Sequence, residues 1–95
     1  MNILHINEGD KISFHITGNT ITFDNQYSID CQQRQSDTQK IINLFLNDNI
    51  ISEIPNGQYI ANIIIPPKRF FLDDNYELQE LDFDINSITL QLWAV

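Results

Sequence analysis

The chain of 95 residues carries 13 acidic against 5 basic side chains, a formal charge of -8 with both histidines neutral, and 42% of its residues are hydrophobic. That length predicts a single domain over residues 1–95, and the charge disfavours nucleic acid and anionic lipid as partners, because phosphates would be repelled. A lone cysteine excludes an internal disulfide, no Cys/His cluster has zinc spacing, and no apolar run approaches the roughly 20 residues of a membrane span. The expectation is therefore a cytoplasmic protein in a reducing setting, without a leader peptide or membrane contact.

Leu4 and Ile6 suggest a short first strand ending at Glu8-Gly9-Asp10. Ile12, Phe14 and Ile16 then alternate with polar residues, the period of a half-buried strand. The alternation breaks at Gly18-Asn19 and resumes at Ile21 and Phe23. A two-residue loop with glycine first suits a type II′ turn and sets Ile16 opposite Ile21, Phe14 opposite Phe23 and His15 opposite Thr22. Beyond Asp24-Asn25-Gln26 the pattern continues through Tyr27, Ile29 and Cys31, giving a meander of three or four strands.

After Gln35 the period changes. Ser36 and Gln39 have capping-box spacing, Asp37 suits a helix N-terminus, and Ile41, Ile42, Leu44, Phe45 and Leu46 form a broad stripe. This predicts one helix, Asp37 to Asn47, packed on the sheet. Pro55-Asn56-Gly57 reads as a turn into a strand over Tyr59 to Ile65. That strand is apolar on both faces, with Tyr59, Ala61, Ile63 and Ile65 on one and Ile60 and Ile64 on the other, so it belongs in the middle of a sheet. Pro66-Pro67 stops it.

Phe70 to Leu72, the turn Asp73-Asp74-Asn75 and a return at Tyr76 and Leu78 suggest extended chain without a fixed register. Leu81, Phe83 and Ile85 and then Ile88, Leu90 and Leu92 alternate on either side of Asn86-Ser87. That predicts a C-terminal hairpin with Leu81 facing Leu92. The fold class expected from these elements is α+β: a mainly antiparallel sheet or small sandwich of short strands with one packed helix.

Few residues have the makings of a chemical site. Cys31 with His5 or His15 is the only thiol and base combination, yet no frame of oxyanion donors accompanies it, and a cysteine on an alternating face usually serves as a small hydrophobe. Asp73-Asp74-Asn75-Tyr76-Glu77 has oxygen ligands at alternate positions, but Leu78 replaces the glycine of a calcium loop and Asp84 its bidentate glutamate. Gly9, Gly18 and Gly57 are isolated, so no phosphate loop exists. No cofactor, metal or catalytic residue is expected.

Two regions point to protein partners. Lys68-Arg69-Phe70 follows a rigid proline corner, where cation and aromatic would anchor a recognition loop; the alternative is a stiff connection with its phenylalanines turned inward. Trp93 falls on the face of Thr89 and Gln91, so it is either covered by another layer or used between molecules. The sequence thus favours a non-enzymatic, acidic protein–protein interaction module, an assembly component or small inhibitor. Lys68, Arg69, Phe70 and Trp93 would bind the partner, a protein with a basic surface or a second copy. Its Asn- and Ile-rich composition is compatible with a prophage or mobile-element origin. The rival expectation is a small ligand-binding domain or a thiol enzyme using Cys31 with His5 or His15.

Overall fold

Gly18, at φ +60°, and Asn19 close the first hairpin with the signs of φ that a type II′ turn takes. Phe14 stands opposite Phe23, His15 opposite Thr22 and Ile16 opposite Ile21, the register that alternation and turn chemistry predict. The computed structural model describes all 95 residues, Met1–Val95. Its strands are β1 (Asn2–His5), β2 (Phe14–Thr17), β3 (Thr20–Phe23), β4 (Tyr27–Asp30), β5 (Lys40–Asn47), β6 (Ile50–Ser52), β7 (Gln58–Ile65), β8 (Phe70–Leu72), β9 (Leu78–Glu80) and β10 (Thr89–Leu92). They form a three-stranded sheet β2-β3-β4, a five-stranded sheet β1-β10-β7-β5-β6 and a separate ribbon of β8 and β9.

The α+β expectation, with one packed helix, is overturned. Strand residues make up 49% of the chain and helical residues 7%, confined to a four-residue turn at Cys31–Arg34 and a 3-10 turn at Ile85–Ser87. Residues 40–47, within the expected helix, are β5. Ile42 and Leu44 are buried while Ile41 and Asn43 are exposed, a period of two that the dense apolar stripe had masked. Asp48 and Asn49 both take positive φ, 51° and 64°, and so form a two-residue turn of type I′ that folds β5 onto β6. Ser36 spends its hydroxyl on the Thr38 carbonyl, 3.0 Å away, in a local turn rather than a capping box.

β7 is the middle strand of the main sheet, antiparallel to both β5 and β10. Leu44 pairs with Ala61 but Phe45 with Tyr59, which leaves Ile60 as the extra residue of a bulge. Tyr59 consequently joins Phe45 on the second face of the sheet, not Ala61, Ile63 and Ile65 on the core face as strict alternation predicts.

The expected C-terminal hairpin is also absent. β10 pairs with β7 and, in parallel, with β1, while Leu81 to Asp84 run outside any strand. Asn86 and Ser87 lack the positive φ that a tight hairpin turn needs. Asp84 instead caps their 3-10 turn, accepting from the Asn86 amide at 2.9 Å.

Residues of both larger sheets merge in one core: Ile21, Phe23, Ile29 and Cys31 from the small-sheet side meet Leu44, Ile63, Ile65, Leu90 and Leu92 of the main sheet. Side chains tie the two sheets at their rim. The Gln26 amide donates to the Asn49 carbonyl at 3.0 Å and accepts from the Ile51 amide at 3.2 Å, which occupies part of the open edge of β6. Glu53 receives both the Arg34 guanidinium and the Tyr27 hydroxyl. No helix is long and apolar enough to cross a membrane.

Candidate interaction surface

Pro66-Pro67 end β7 because neither residue can donate to a ladder, and the chain leaves the main sheet there. Its departure is anchored: the Gln35 side chain donates to the Pro66 carbonyl at 3.1 Å, and the Lys68 amide to the Ser36 carbonyl at 2.9 Å. β8 and β9 then fold on each other, with Phe70 opposite Glu80, Phe71 opposite Gln79 and Leu72 opposite Leu78.

The turn between them is held by Asp73. Its carboxylate accepts from the amides of Asn75 and Glu77, each at 2.9 Å, and from the Gln79 side chain at 3.0 Å. These bonds, the Glu77 amide first, hold the Asp73 carboxyl below its usual range. The oxygen pattern that resembles part of a calcium loop is therefore engaged in building a turn. Tyr76 sits at its tip in the left-handed region, φ 60°, and is 87% exposed.

This ribbon is an arm. Every residue of β8 and β9 is exposed, and none belongs to the core. The molecule measures 54 × 23 × 22 Å, and its radius of gyration of 15.3 Å exceeds the roughly 12 Å of a compact chain of this length. Phe70, Leu72 and Leu78 share one face of the arm and are 45%, 63% and 65% exposed. The phenylalanines beside the proline corner turn outward.

Of the four predicted partner residues, the consecutive Lys68, Arg69 and Phe70 lie at the root of the arm. Lys68 lies 3.6 Å from Glu80 across the root, Arg69 is exposed with no ion pair, and Phe70 opens β8. Trp93 is elsewhere. Its ring meets the edge of Tyr59 at 5.2 Å, near the start of β7, whereas the arm follows the end of β7, about 20 Å away along the strand. Phe45, Tyr59 and Trp93 form an aromatic row on the second face of the main sheet, and the Tyr59 hydroxyl donates to Asn43 at 2.7 Å. The Trp93 indole N–H and Asn62 Oδ1 are buried without a partner in the chain.

Leu72, Tyr76 and Leu78, also exposed on the arm, escaped sequence reasoning. The available signal was the pairing of two short apolar runs across an acidic turn, directly after a proline corner.

The residues of the rival thiol reading are not brought together. Cys31 is fully buried and its thiol is pushed up to about 11, chiefly by burial and then by the neighbouring Asp30 charge. Its sulfur contacts the Ile29 carbonyl at 3.9 Å, and neither histidine bonds to it. His15 lies on the exposed row with Thr22 and Ser28, on the opposite face of its sheet from the core, and His5 is exposed on β1. Three open clefts of about 240 to 300 Å³ mark the surface, none lined by Cys31, and all lie at or below the low end of small-molecule sites.

Comparison of the chain with protein-family models, with curated proteins and with solved structures finds no match.

Proposed function

We propose that this chain is a non-enzymatic protein-interaction module, an assembly component whose contact element is the β8–β9 arm. One observation carries the reading: an isolated two-stranded ribbon, of marginal stability in water, holds Phe70, Leu72 and Leu78 on one uncovered face. Exposed apolar surface on an element detached from its core marks a contact site. A cytoplasmic setting belongs to the same proposal, supported by the free thiol of Cys31. So does the absence of nucleic acid and anionic lipid among its partners, supported by the charge of -8.

A photo-activated benzophenone side chain placed at Tyr76, and separately at Thr22 on the polar face of the small sheet, tests this in extract of the native organism. The arm position is expected to give a discrete cross-linked protein adduct and the Thr22 position none. Equal labelling from both, or no adduct from the arm, would overturn the reading.

A further inference from the structure

We propose that the arm is self-complementary, and that two copies of this chain associate by laying their arms together antiparallel, tip against root. The inference rests on the arm being a contact element and adds what covers it.

The charges of the arm are sorted along its length. Lys68 and Arg69 stand at the root, and Asp73, Asp74 and Glu77 at the tip, about 15 to 20 Å further out. Lys68 already faces Glu80, and Asp73 is engaged in its own turn. Arg69 at the root and Asp74 at the tip are left without a side-chain partner.

Parallel arms would set three carboxylates against three. A two-fold axis through the middle of the arm instead brings the basic root of each copy to the acidic tip of the other, while the faces of Phe70, Leu72 and Leu78 cover one another. Such an isologous contact uses one patch twice and closes at two subunits.

The remaining charge also favours this geometry. Nine acidic and three basic residues lie outside 68–80, so the two bodies repel. Arms laid tip to root hold the bodies at opposite ends of the pair, where that repulsion is screened within about 8 Å at physiological salt. A contact confined to two arms is smaller than the roughly 800 Å² per partner of a standard interface. The dimer is accordingly weak and concentration-dependent.

Sedimentation equilibrium from about 1 µM to 1 mM provides the test. Arg69→Glu and Asp74→Arg, each alone, are expected to weaken dimerisation about tenfold, and the double variant to return to within about threefold of the native chain. Both sites are exposed and outside the core, so the variants keep the fold. A native chain that stays monomeric throughout, or a double variant as weak as the singles, overturns the proposal. The benzophenone at Tyr76 separates the two levels of inference. An adduct of twice the chain mass supports self-pairing; an adduct with a different protein alone rejects self-pairing and leaves the interaction module standing; no adduct rejects both.

Discussion

Tyr59 and Ala61 are two residues apart on one strand, yet they stand on opposite faces of the main sheet, because Ile60 is the extra residue of a bulge between them. The bulge sets Tyr59 between Phe45 and Trp93, each ring 5.2 Å away and nearly perpendicular. Tyr59→Ala removes the middle ring of that row. It is expected to cost about 2 kcal/mol, a fall of about 10 °C in Tm for a domain of this size. Trp93 emission should shift to the red as water reaches the indole. An unchanged spectrum would show that Tyr59 does not shield it.

Glu53 ties the Arg34 turn and Tyr27 to the loop after β6, and the Arg34 hydrogen bonds hold its carboxyl below the ordinary 4.5. A carboxylate with a lowered pKa stabilises the fold fully above its unfolded value, and loses that contribution as the pH falls through the folded one. The pair is partly exposed, so its worth is at most about 1 kcal/mol after screening. Melting curves at pH 7 should place Glu53→Gln a few degrees below the native chain, about 4 to 8 °C at most. At pH 3 that gap should narrow. A gap that widens in acid would contradict the assignment.

Cys31 is buried with its thiol at about 11, so the reactive thiolate is scarce at neutral pH. Labelling by a disulfide reagent at pH 8 is expected to run at least about a hundredfold slower in the native protein than after unfolding in guanidinium. Comparable rates in both states would revive the thiol reading.

Gly57 has φ +72°, and a Cβ there would strike the Leu46 carbonyl oxygen, part of the backbone of β5. Gly18 has φ +60° but open space around it. Gly57→Ala should therefore cost about 2 to 3 kcal/mol and Gly18→Ala about 1 kcal/mol. Urea titrations that reverse this order would count against the tight approach of β5 at Gly57.

Because the arm shares no core with the body, it should also be cut first. Brief treatment with chymotrypsin is expected to cleave at Tyr76, 87% exposed at the tip, while the far-ultraviolet spectrum of the body persists. Loss of all strand signal with the first cut would show that the arm supports the body.

Where local chemistry and periodicity agreed, the sequence was readable. Gly18-Asn19 and the alternation on either side of it specify one register, and the structure has it. Ile41, Ile42, Leu44, Phe45 and Leu46 fit a helical stripe and a strand equally well. What decided between them was Asp48-Asn49, a dipeptide that tolerates positive φ twice in succession. The pairing of β10 was beyond reach, since alternation tells which face a residue takes but not which distant strand lies beside it. On the arm, Lys68, Arg69 and Phe70 stood out because a rigid corner precedes them. Leu72 and Leu78 did not, since an exposed leucine and a buried one look alike in sequence.

The parallel pairing of β1 with β10 imposes an order on synthesis. Residues 2–5 pair with residues 89–92, so the first strand waits roughly 4 to 17 s for its neighbour at ordinary translation rates of about 5 to 20 residues per second. The β2-β3-β4 meander needs only residues 14–30 and can assemble long before then. On the ribosome the small sheet is thus the first platform available, and the main sheet closes onto it after the last strand emerges.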